Sequence, residues 1–106
     1  MLDEAKIREA VDALLEAAPE GSKVILFGSY AAGRARPDSD LDFLVIEPEV
    51  QDRMEEMVRL SRLLGKLLIP ADVAVVGRDE FHRFRDTPNT LHHRAFKQGK
   101  VYEPLP

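Results

Sequence analysis

Cysteine is absent from the 106 residues, which excludes a disulfide framework and thiol chemistry and suits a reducing compartment. Long apolar runs are absent too, and none approaches the length of a membrane span. The N-terminal stretch MLDEAKIREAVDALLEAAPEG carries acids and has no apolar core of the signal-peptide kind. Nor is there an excess of positive charge. Fifteen Lys and Arg stand against nineteen Asp and Glu, a formal charge of −4, which argues against strong, broad capture of nucleic acid. Internal repeats, linkers and low-complexity segments are missing as well. What remains, 44% hydrophobic and 32% charged, is the composition of a packed globular chain rather than a disordered one. The expectation is one soluble, cytoplasmic domain over residues 1–106, large enough to bury a core without staples.

Apolar periodicity then orders the chain. Ile7, Ala10, Val11, Leu14, Leu15 and Ala18 recur at three- and four-residue steps and predict an amphipathic helix over 3–18, left at Pro19 and Gly21. KVILF (23–27) reads as a buried strand that turns at Gly28-Ser29. A short helix is expected over 29–32, a loop over 33–39, and a second strand at LDFLVI (41–46). Residues 50–68 read as a long helix whose apolar face, including Met54 and Met57, exceeds one core seam and leaves room for a partner subunit or a homo-oligomer. ADVAVV (71–76) is the third strand. Helices over 79–85 and 89–98 follow, then a short edge strand over 100–103. The fold class is α/β (α+β), a small mixed sheet flanked by helices.

Two acids stand where the second strand begins. Side chains two apart on a strand share a face, so Asp40 and Asp42 are expected side by side, roughly 6–7 Å apart. Carboxylates that close raise one pKa unless a cation lies between them. Asp72, among apolar neighbours near the start of the third strand, is the third candidate, since an unpaired carboxylate is costly there. Three converging acids call for a metal, and Mg²⁺ takes carboxylates together with substrate phosphates. For any one of them the plain alternative is a turn former or cap, as in the PDSD segment. Gly28-Ser29 directly after a strand lets backbone approach an anion closely, with a hydroxyl to donate. It is not a Walker A loop, and the spacing of a dinucleotide fingerprint is missing.

Gly28-Ser29, ten residues, then Asp40-Leu41-Asp42 resembles the signature of the DNA polymerase β-like nucleotidyltransferases. FGSYAAG…PDSDLDFLV is most similar to the minimal nucleotidyltransferases, closely over residues 24–46 and more loosely through Val76. FKQGKVYE also resembles that family's tail. The resemblance implies a minimal polymerase β-like fold and catalytic, metal-holding Asp40, Asp42 and Asp72 on Mg²⁺, with two ions. It implies Gly28 and Ser29 as the phosphate-binding residues and ATP as donor. It further implies AMP transfer to a HEPN-domain toxin, with this chain as the antitoxin of the pair. One departure stands out: Ala32 occupies a position where many members carry arginine, and Arg34 and Arg36 are the nearby substitutes.

Two rivals follow from the same residues. One is a binding module that neutralises its partner by contact alone. The other is transfer to a small molecule, for which related enzymes carry a further helical domain. His82, His92 and His93 lack the i, i+4 spacing of helical metal ligands and read as surface or half-buried residues. Tyr30 and Tyr102 read as packing residues.

Overall fold

A computed structural model describes residues 2–104. The helix α1 (Glu4–Ala17) opens at Asp3, whose carboxylate accepts a hydrogen bond from Lys6 N at 2.9 Å. Its apolar face, Ile7, Ala10, Val11 and Leu14, is buried. The strand β1 (Lys23–Phe27) runs into the short helix α2 (Gly28–Ala31). β2 (Leu41–Glu47), α3 (Arg53–Lys66) and β3 (Ala71–Gly77) then form a parallel unit. α4 (Arg78–Phe84), α5 (Leu91–Gln98) and β4 (Lys100–Tyr102) complete the chain.

The sheet order is β3-β2-β1-β4, parallel between β3 and β2 and antiparallel elsewhere. Alternation along the strands makes two cores. Val24, Leu26, Leu41, Phe43, Val45, Val73 and Val75 face α1 and α3. Ile25, Phe27, Leu44, Ile46 and Val76 face the other way, under Phe81 of α4 and Ala95 of α5. A small mixed sheet between helices is therefore the observed class, as the apolar pattern predicts.

The boundaries differ from expectation where caps decide them. α3 starts at Arg53 rather than 50, because the Asp52 side chain accepts from Glu55 N at 3.0 Å and fixes the first turn. It ends at Lys66, two residues early, because Leu68 turns left-handed at φ 59°. α5 starts at Leu91 because Asn89 is left-handed and Thr90 caps His93 N. On α3, Leu60 and Leu64 are buried, whereas Met54 and Val58 are exposed. No helix among the described residues is long and apolar enough to cross a membrane.

Candidate active site

The site begins with a row of side chains across the sheet. Phe27 of β1 lies opposite Asp42 of β2, and Asp42 lies beside Asp72 of β3 in the parallel register. Asp42 is two residues from buried Leu44 and four from Ile46, so it shares their face, the one covered by α4 and α5. The two apolar rows beneath it fill the space under those helices. The Phe27/Asp42/Asp72 row ends the sheet, with Phe27 buried and solvent reaching the two acids. Asp42 is half-buried and Asp72 is exposed. The expected burial of Asp72 is thus not observed, because β3 is an edge strand and its first residues lie beyond the helical cover.

Asp40 is not part of β2. The strand starts at Leu41, whose N–H donates to Pro70 O at 3.1 Å, and β1 ends opposite Asp42, leaving no strand beside Asp40. Its exposed side chain is delivered by a turn over 36–39. Ser39 closes that turn, its hydroxyl accepting from Arg36 N at 2.8 Å and its own N–H donating to Arg36 O at 2.9 Å.

Gly28 is where β1 leaves the sheet. Its φ is +76°, and a Cβ there would run into the Asp42 carboxylate. Only glycine lets the acid lie against the backbone at that turn. Ser29 follows in α2, half-buried, with its carbonyl accepting from Arg34 N at 2.8 Å. Tyr30 turns inward, packing on the α1/α3 core, and its hydroxyl accepts from Leu2 N at 3.0 Å.

A cleft of about 670 Å³ opens beside the row, with Gly28, Asp42, Asp72, Ser61, Leu91 and Arg94 among its walls. Asp40, Ser29, Arg34 and Arg36 are not among the residues lining it. Burial first, and then the charges of Asp72 and Asp40, push the Asp42 carboxyl above its ordinary value, while Arg94 pulls it down. An acid held this way gains from a cation. Among the described residues no three His, Asp or Glu side chains are drawn together tightly enough to hold a metal as they stand. The donor set nonetheless fits a hard divalent ion: oxygen ligands only, two of them adjacent in register and a third close enough to act on Asp42.

Ser61 and Arg94 escape a reading of the sequence. Arg94 lies three residues after Leu91, on the same side of α5, but which sheet end that side overlooks depends on the packing. His92 and His93 are engaged elsewhere. His92 Nε2 lies 2.7 Å from Glu80, and His93 Nδ1 lies 3.0 Å from Arg85 O.

A mixed sheet with carboxylates paired across parallel β2 and β3, and a strand–glycine–helix turn against them, defines the minimal polymerase β-like nucleotidyltransferase fold. The chain belongs to the nucleotidyltransferase domain family, whose sequence model matches residues 5–102. It is similar to a solved nucleotidyltransferase from Sulfolobus solfataricus, 21% identical, covering 92% of this chain and 77% of that one with a TM-score of 0.62. It is similar to a mutant of the toxin–antitoxin MntA-HpeT, 24% identical, covering 99% and 75% with a TM-score of 0.63. A toxin–antitoxin structure with AMP-PNP is 28% identical, covering 94% and 72% with a TM-score of 0.55. Comparison with curated proteins finds no match.

Proposed function

We propose that the protein is a Mg²⁺-dependent nucleotidyltransferase that moves AMP from ATP onto a protein acceptor, a HEPN-domain toxin for which it is the antitoxin. The observation that carries this reading is the in-register pair of Asp42 and Asp72 beside Gly28 at one cleft. The adenine nucleotide and the toxin are supported by the related toxin–antitoxin solved with AMP-PNP.

Asp40, Asp42 and Asp72 are the residues that would hold Mg²⁺, as one ion or two. When bound, the metal supplies charge neutralisation at the reacting phosphate. The turn at Gly28 keeps the Asp42 carboxylate against the end of β1, and the Ser29 hydroxyl is the donor offered to the phosphates. Exposed Asp72 accepts the proton of the acceptor hydroxyl and passes it to solvent. The acceptor oxygen bonds to the α-phosphorus, the bond from that phosphorus to the bridging oxygen breaks, and pyrophosphate leaves with the electron pair. Positioning and charge do most of the work in such a transfer.

The test incubates the protein with radiolabelled ATP, Mg²⁺ and the product of the neighbouring gene, wild type beside Asp42→Asn. The expected result is an acceptor heavier by one or more AMP units with wild type alone. Full transfer by Asp42→Asn would remove the acids from the chemistry. A second reading is neutralisation by binding alone, supported by the toxin–antitoxin assemblies to which the chain is similar. It requires a stable complex that forms and neutralises equally well with Asp42→Asn, and no label on the acceptor.

A further inference from the structure

Arg94 holds a place in the cleft that no motif assigns. Of the described residues lining the cleft it is the only cation, and it comes from α5 rather than from the signature turn. Three contacts fix the helix that carries it. Thr90 caps α5, accepting from His93 N at 3.0 Å while its own hydroxyl donates to Thr87 O at 2.8 Å. Ala95, fully buried, seats the helix on the second core. At the far end Gly99 lies so close to Ile25 and to Ala95 O that a Cβ would not fit, which sets the exit into β4. The guanidinium of Arg94 lies over the ring of Phe27, 5.9 Å from its centre. Phe27 is the residue before Gly28 and the cross-strand partner of Asp42. Arg94 is therefore held on the acid row from above, with its side chain exposed to incoming ligand.

Elsewhere near the signature, no cation among the described residues lines the cleft. Ala32 is exposed and carries no charge, and neither Arg34 nor Arg36 lines the cavity. A nucleoside triphosphate brought against carboxylates needs positive charge beyond its metal, and a planar guanidinium fork suits phosphate oxygens.

We infer that Arg94 binds the triphosphate of the nucleotide donor, from α5, as the protein's own phosphate clamp in the cleft. This rests on the nucleotidyltransferase reading above and adds to it a residue outside the glycine–serine and aspartate signature.

The experiment measures binding of ATP and of AMP to the full chain by calorimetry, with Ca²⁺ replacing Mg²⁺ to prevent turnover. Wild type, Arg94→Ala, Arg94→Lys and Asp42→Asn are compared, with thermal melting as the fold control. Arg94→Ala is expected to weaken ATP binding about 10- to 100-fold, the loss of a charged hydrogen-bonded contact. AMP binding should change little, and Arg94→Lys should recover part of the ATP affinity. In turnover with the acceptor, KM for ATP should rise more than kcat falls. Unchanged ATP affinity in Arg94→Ala, or an equal loss for ATP and AMP, overturns the clamp while leaving the enzyme reading intact. Should Arg94→Ala fail to fold, Arg94→Gln decides, and wild-type ATP affinity with wild-type KM in that variant overturns the proposal. Wild type that binds no ATP defeats the underlying reading, and the clamp with it.

Discussion

Glu47, the last residue of β2, is buried, and its Oε2 meets no hydrogen-bond donor among the described residues. A carboxyl in that position keeps its proton. Burial, together with hydrogen bonding to Glu56 and that residue's charge, pushes Glu47 up to about 8. Glu56 moves the opposite way, to about 2, held first by Arg59 and then by Glu47. Arg59 grips both Glu56 oxygens at 2.8 Å and also donates to Ala17 O at 2.9 Å, tying α3 to the end of α1. The sign follows. Because Glu47 lies above its ordinary 4.5, the native chain holds a proton that the unfolded chain releases. Stability from Glu47 is present below about 4.5 and is lost as pH rises towards 8, whereas that from Glu56 is lost as pH falls from 4.5 towards 2. Glu47→Gln keeps a neutral donor against Glu56, so its melting temperature should hold between pH 5 and 8.5 where that of wild type declines. Parallel melting curves for the two proteins would remove Glu47 as the titrating group. None of this is legible in the sequence, where Glu47 reads only as the polar end of an apolar run.

The ends of elements carry most of the local chemistry. α3 closes with Leu68 N donating to Gly65 O and Ile69 N to Leu64 O, both at 3.0 Å, the paired hydrogen bonds of a Schellman motif. Glycine is the usual residue at the left-handed position, yet here it is Leu68, with φ 59° and a side chain 87% exposed. A left-handed leucine costs about 1–2 kcal/mol and this one gains little from packing. Leu68→Gly should therefore stabilise the protein by about 1 kcal/mol, read as a melting temperature higher by a few degrees. A lower melting temperature would mean that Leu68 packs in solution. The same position explains why the periodicity of 50–68 overran the helix: apolar residues continue through Leu67 and Leu68, but only backbone geometry says where the turn falls. β2 differs in the opposite sense. Its hydrophobic run places the start of the strand at Leu41, as observed, and the strand runs one residue further than expected, to Glu47.

For the whole molecule, the folding of β2–α3–β3 as a parallel unit matters most. It brings Asp42 and Asp72, thirty residues apart in the chain, into one register, with Asp40 and Arg94 added from a turn and from the far helix. A divalent ion bound there by the native chain alone would stabilise the fold by mass action, about 2.7 kcal/mol at 100 times its Kd. Titrating Mg²⁺ into the protein should raise its melting temperature, and Asp42→Asn should abolish the rise. An equal rise in both would place the ion elsewhere.

The order of the elements, the three apolar strands and the Gly28–Ser29/Asp40–Asp42 signature are legible in the residues alone, because period-2 and period-3.6 burial and glycine at a positive φ are local constraints. Packing between segments settles that Asp72 is exposed, that Arg94 overlooks the acids and that Glu47 is sealed beside Glu56. Those outcomes depend on which strand is an edge and which helix covers which end of the sheet, and such relations are set by packing between segments distant in the chain.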